Sequence, residues 1–131
     1  MENETHRQRI AALHQRSFDL SCAVLKAYPK RRFLDEPSRI VWRELVKAIT
    51  SSTFNFEEAD AASSDSDFLA KMGIALREVK EARVAMRLIL ACELAGCDVL
   101  SSYEDEARQM ALIFAKIIVN KKANVKQRPR F

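Results

Sequence analysis

Four residues in this 131-residue chain combine reactive side chains with a spacing that helices could bring together: Asn55 and Glu58, then Glu78 and Glu81. Two carboxylates three residues apart share one face of a helix. Glutamates on adjacent helices would be the start of a carboxylate-bridged di-metal site, which also needs Glu-x-x-His pairs. Neither His6 nor His14 stands three residues after a glutamate, so the ligand set for a metal is missing. Cys92 and Cys97 are five apart, which is not the CxxC spacing of redox or zinc sites. Only two glycines are present, Gly73 and Gly96, too few for a phosphate-cradling loop. No spacing pairs a cysteine with a histidine as nucleophile and base. The expectation is a protein without catalytic residues, metal or cofactor.

The other reading of these polar residues is architectural. Lys47, Asn55, Glu58, Glu78 and Glu81 form a polar ladder along two helices, with Lys71, Arg77 and Arg83 in reach as partners. Asn55 is expected to pair across the helix interface, where a half-buried amide can fix register.

Positioning that ladder requires long helices, and the apolar residues supply their pattern. Ile10, Leu13, Leu20 and Val24 recur at helical steps, with Phe18, Cys22 and Leu25 as a second stripe, until Tyr28-Pro29 stops the first helix. After Lys30-Arg31-Arg32, with Phe33 and Leu34 expected against the bundle end, Asp35 to Ser38 opens a second helix with core stripe Val41, Leu45, Ala48, Ser52, Asn55 and Phe56. Its small residues from Ala48 to Thr53 allow close approach of a neighbour. Ser64 and Asp67 resemble a capping box for a third helix. That helix carries Phe68, Met72, Ala75, Leu76, Val79, Ala82, Met86, Ile89 and Leu90, and is expected to end at Ala95 before Gly96. A fourth begins at the capping box Ser101 to Glu104 and continues through Met110, Phe114, Ile117 and Ile118 to about Lys121. Leu112, Ile113 and Val119 fall outside its stripe, the mark of a helix covered on more than one side, which implies self-association. The simplest topology is an all-α, up-down-up-down antiparallel four-helix bundle spanning residues 1–121, followed by a basic tail at 122–131.

Charge is distributed unevenly along that frame. Of 22 basic residues, five (Lys121, Lys122, Lys126, Arg128 and Arg130) follow Asn120 with no acid among them. The rest of the chain is left with 17 basic against 18 acidic groups. A neutral body with concentrated cations points to a polyanionic partner, and the candidate nucleic-acid contacts are Lys30, Arg31 and Arg32 with that tail. Arg7, Arg9 and Arg16 could join them. Three cysteines, an acidic start without a signal-peptide core and no run of about 20 apolar residues fit a reducing cytoplasm.

Particular residues also resemble a known family. Glu44-Leu45-Val46-Lys47-Ala48-Ile49-Thr50-Ser51, Asn55, Glu58-Ala59, and Asp67-Phe68 through Lys71, Ile74-Ala75-Leu76, Glu78 and Glu81 resemble the four-helix bundle proteins encoded in intervening sequences of bacterial large-subunit ribosomal RNA genes. These are similar to the accessory protein of diversity-generating retroelements. The resemblance covers about 60% of the chain, over helices two and three. Val84-Ala85-Met86 stands where the family has an aromatic-rich segment. The resemblance implies a non-enzymatic ring, a homopentamer, that binds RNA or DNA and partners a reverse transcriptase. The alternative is a protein–protein adaptor whose fourth helix docks the partner directly.

Overall fold

The computed structural model describes residues 2–127 and consists of four long helices joined by short connections. They are α1 (Glu2–Ala27), α2 (Glu36–Asp60), α3 (Asp65–Ala91) and α4 (Ser101–Gln127). Single 3-10 turns occupy Arg31–Phe33 and Cys97–Val99. Each helix packs antiparallel on its sequence neighbour, and α1 closes the bundle against α4. The expected up-down-up-down bundle is the observed fold.

Local chemistry sets most of the boundaries. Pro29 ends α1 soon after Ala27. At the start of α2 the Asp35 carboxylate accepts from Ser38 N at 3.0 Å, with Pro37 in the first turn. Asp67 N donates to Ser64 Oγ at 3.0 Å and so caps α3. Each cap satisfies one of the amide donors a helix start leaves open. At the other end of α3 the expectation is not met. The helix stops at Ala91, four residues before Ala95, and Gly96 opens the Cys97–Val99 turn at φ 78° instead of closing α3. Glu93, at φ 51°, closes the helix, with Leu94 N donating to Ile89 O at 3.0 Å, and tertiary bonds hold the chain beyond it: Ala95 O accepts from Trp42 Nε1 at 2.7 Å and Ala95 N donates to Ser38 Oγ at 3.0 Å. Continued helix through Ala95 would withdraw both groups. The capping box at Ser101 is likewise not formed: α4 already includes Ser101, Glu104 N donates to Leu100 O at 2.9 Å, and the Glu104 carboxylate accepts from Arg83 Nε at 2.7 Å.

The core runs the length of the bundle. Trp42, Leu45, Ile49 and Phe56 of α2 meet Met72, Val79, Met86 and Ile89 of α3, with Met110 and Phe114 of α4 and Leu20 and Val24 of α1. Burying a side chain of this size contributes roughly 1.5–3 kcal/mol. Ala48 and Ser52 on α2 and Ala75 and Ala82 on α3 are all buried, and there the two backbones come close enough for Ser52 Oγ to donate to Ala75 O at 2.8 Å. The α1 seam is more polar. Thr53 Oγ1 lies 3.2 Å from Ser17 Oγ and 2.6 Å from Ser21 Oγ, and His14 stacks on Phe56 with Nδ1 3.0 Å from Glu57 Oε1.

Candidate nucleic-acid interface

The α1–α2 connection holds Lys30, Arg31 and Arg32 in a defined place. Phe33 N donates to Lys30 O at 2.8 Å and Leu34 N to Arg31 O at 3.1 Å, closing a 3-10 turn. Leu34 packs on the core, and Asp35 then caps α2. The turn is thus pinned at both ends. All three cations are exposed, and among the described residues no carboxylate lies within ion-pair distance of them. Several other cations are matched: Arg16 by Glu106 and Gln109, Lys71 by Glu58, Arg83 by Glu104 and Arg108 by Asp105. Arg16, half-buried between α1 and α4, is therefore a helix clamp and not part of an open basic surface.

Phe33 departs from its expected position. Leu34, extended just past the turn at φ −94° and ψ 96°, packs on the core, whereas Phe33 is 60% exposed, with the Arg32 guanidinium 4.8 Å from its ring centroid. Beside it lies an open groove of about 920 Å³ between the end of α1 and the α3–α4 connection. Phe33, Lys26, Pro29, Asp98, Val99 and Tyr103 line it.

The second basic cluster stands at the opposite end of the bundle. Helix α4 starts beside the α3 C-terminus and continues past Lys121 to Gln127, roughly 40 Å at 1.5 Å per residue. Lys121 is tied down: its Nζ lies 2.9 Å from Asp65 Oδ1 and 5.1 Å from the Phe68 ring centroid, joining α4 to the start of α3. Lys122 and Lys126 are exposed on the helix surface. Arg128 and Arg130 lie outside the described residues. The two basic clusters do not form one patch.

The polar ladder is present as separate rungs. Lys71 Nζ lies 2.9 Å from Glu58 Oε2, a link between α3 and α2. Asn55 does not cross the interface: its Nδ2 donates back to Ser51 O at 2.9 Å, one turn earlier in its own helix. Lys47 is exposed and makes no ion pair among the described residues. Burial, then the charge of Glu81 and a hydrogen bond with it, pushes the Glu78 carboxyl above the ordinary range, against the opposing pull of Arg77 3.7 Å away. Among the described residues no group of three histidine, cysteine, aspartate or glutamate side chains is arranged to hold a metal ion. No described helix is long and apolar enough to cross a membrane.

No family model and no curated protein matches this chain. Among solved structures, a protein of unknown function from the S23 ribosomal protein family of Bacteroides thetaiotaomicron VPI-5482 superposes with a TM-score of 0.69. The two are 22% identical, and the match covers 81% of this chain and 97% of that one. At that identity the likeness establishes a shared fold.

Proposed function

We propose that this protein is a non-enzymatic, homo-oligomeric helical bundle that binds nucleic acid through Lys30, Arg31 and Arg32 and through the basic residues from Lys121 onward, as an accessory to a reverse transcriptase. The observation that carries the binding reading is the pinned turn with three exposed cations and no acidic partner among the described residues. Cations already neutralised by carboxylates release few counterions from a polyanion; unpaired ones release about one each. Binding should therefore be tolerant of sequence and steep in salt. In fluorescence anisotropy at low salt, K30A/R31A/R32A should weaken binding and lower the slope of log K against log salt by roughly 2–3. No retention by the wild type, or a slope unchanged in the triple variant, would refute the assignment to this turn.

Self-association is supported by α4, where Leu112 and Val119 are 62% and 64% exposed and, seven residues apart, lie on one outward stripe. The family resemblance implies a pentamer, so light scattering should give a mass near five times the 15.0 kDa chain. The same stripe also favours a second reading, a protein–protein adaptor without nucleic-acid contact. Replacing Lys122 and Lys126 by Gln separates the two, since it should weaken nucleic-acid retention and leave partner docking through Leu112 and Val119 intact.

A further inference from the structure

We infer that the turn and the groove beneath it take an unpaired strand, with a base stacked on Phe33, its amino edge toward Asp98, and its flanking phosphates on Lys30, Arg31 and Arg32. The proposal rests on the nucleic-acid reading above and adds which form of nucleic acid the site selects.

Three features of the groove carry it. A phenylalanine that remains 60% exposed beside a run of free cations combines the two elements of single-strand recognition, an aromatic platform and a positive rim. A duplex has its bases stacked inside and offers Phe33 nothing to stack on. The groove next to the ring is roomy enough, at about 920 Å³, for a base, and Pro29 and Val99 give it apolar walls.

The third feature is the distribution of charge within it. Lys26 lines one wall and the Arg32 guanidinium stands against the Phe33 ring at its edge, whereas Asp19 and Asp98 also line the groove. These carboxylates repel phosphate from the interior, so a strand must enter base first. The Asp19 carboxylate already accepts from Gln15 Nε2 at 2.8 Å. Asp98 has no hydrogen-bond or ion-pair partner among the described residues, and its oxygens are free to accept from an exocyclic amino group. A carboxylate accepts from cytosine N4 but finds only a carbonyl at the same position of thymine. The site should therefore prefer cytosine to thymine at equal stacking.

The test uses the full chain and fluorescein-labelled dC10, dT10 and a 10-base-pair duplex at pH 7.5 and low salt. Wild type should bind dC10 several-fold more tightly than dT10 and more tightly than the duplex. F33A should lose roughly 5- to 150-fold for dC10, the range expected for one lost aromatic–base stack, and F33W should restore it. The duplex should bind F33A as it binds wild type. D98A should bring the dC10 and dT10 affinities together. Phe33 and Asp98 are exposed, so these variants should keep the wild-type circular dichroism and melting temperature. Equal binding of duplex and dC10, an F33A variant indistinguishable from wild type, or no cytosine preference overturns the proposal while leaving the basic-turn reading standing. K30A/R31A/R32A binding dC10 and the duplex as tightly as wild type does, with F33A also unchanged on dC10, would overturn both.

Discussion

The chain has two glycines, and exchanging each for alanine should move stability in opposite directions. Gly96 sits at φ 78°, where an L-residue with a Cβ is disfavoured by roughly 1–2 kcal/mol. An added Cβ would also stand 2.8 Å from Trp42 Cζ2 and 3.0 Å from Pro29 Cγ. The indole cannot retreat easily, because Trp42 is fully buried and its Nε1 is fixed on Ala95 O at 2.7 Å. Overpacking of this kind costs about 1–3 kcal/mol. Allowing for partial relaxation, G96A should cost roughly 2–4 kcal/mol, or on the order of 10 °C in melting temperature for a domain of this size. Gly73 lies within α3, exposed, with nothing within 4 Å of the Cβ it would gain. There alanine relieves a helix-propensity penalty, and G73A should stabilise by about 0.8–1 kcal/mol. Trp42 is the only tryptophan, so its fluorescence in a urea titration reports directly on the site where Gly96 packs. G96A should also shift native emission, and G73A should not. A G96A midpoint within error of wild type, or a destabilised G73A, would refute the packing argument.

Two further outcomes test the polar contacts. The Glu78 carboxyl titrates above its unfolded value, so in the folded state it favours the proton; the stability this gives is present in acid and is lost as pH rises through the folded pKa. E78Q should consequently melt above wild type at pH 7, with the advantage shrinking as the pH falls below the ordinary carboxylate range, as followed by thermal melts at several pH values; a constant offset would place the cause elsewhere. Removing the hydroxyl in S52A should cost about 1 kcal/mol, because Ser52 Oγ to Ala75 O is a buried bond between α2 and α3. S52L should cost several times more by forcing those helices apart, and a tolerated leucine in a denaturation series would show that their close approach is not needed.

The bundle itself was legible because helix periodicity is a repeated signal. Leu45, Ala48, Ser52 and Phe56 on α2, and Met72 through Ile89 on α3, announce their buried faces many times over, and Asp35, Ser64 and Pro29 mark boundaries by local chemistry. What escaped the sequence is decided by single long-range contacts. No local residue type says that α3 must end at Ala91, because the left-handed residue that closes it is Glu93 and not a glycine; Ser38 and Trp42, more than 50 residues before Ala95, then hold the backbone beyond it. One rung of the ladder departs for a related reason. An asparagine at helical spacing has a partner one turn back as readily as one across the interface, and Asn55 takes Ser51 O. Of the links that do cross between helices, Lys71 to Glu58 belongs to the ladder, whereas Ser52 to Ala75, Arg16 to Glu106 and Arg83 to Glu104 come from residues without a diagnostic spacing.

The candidate site was legible in its cations and not in its aromatic, and the difference has a physical basis. A run such as Lys30-Arg31-Arg32 in a connection is expected to be solvated wherever the chain goes, because burying it unpaired would be prohibitive. Phe33 has no such constraint; apolar side chains default to the core, and the backbone path out of the turn, extended at Leu34, decides which of Phe33 and Leu34 gets there. Net charge is equally silent on location. In the folded chain, Arg16, Lys71, Arg83 and Lys121 are spent on carboxylates and bind helices to one another, and Arg108 is spent on Asp105 within α4. A small positive total thus becomes a recognition surface only where cations are held in place without acidic partners, and the turn at Arg31–Phe33 is such a place.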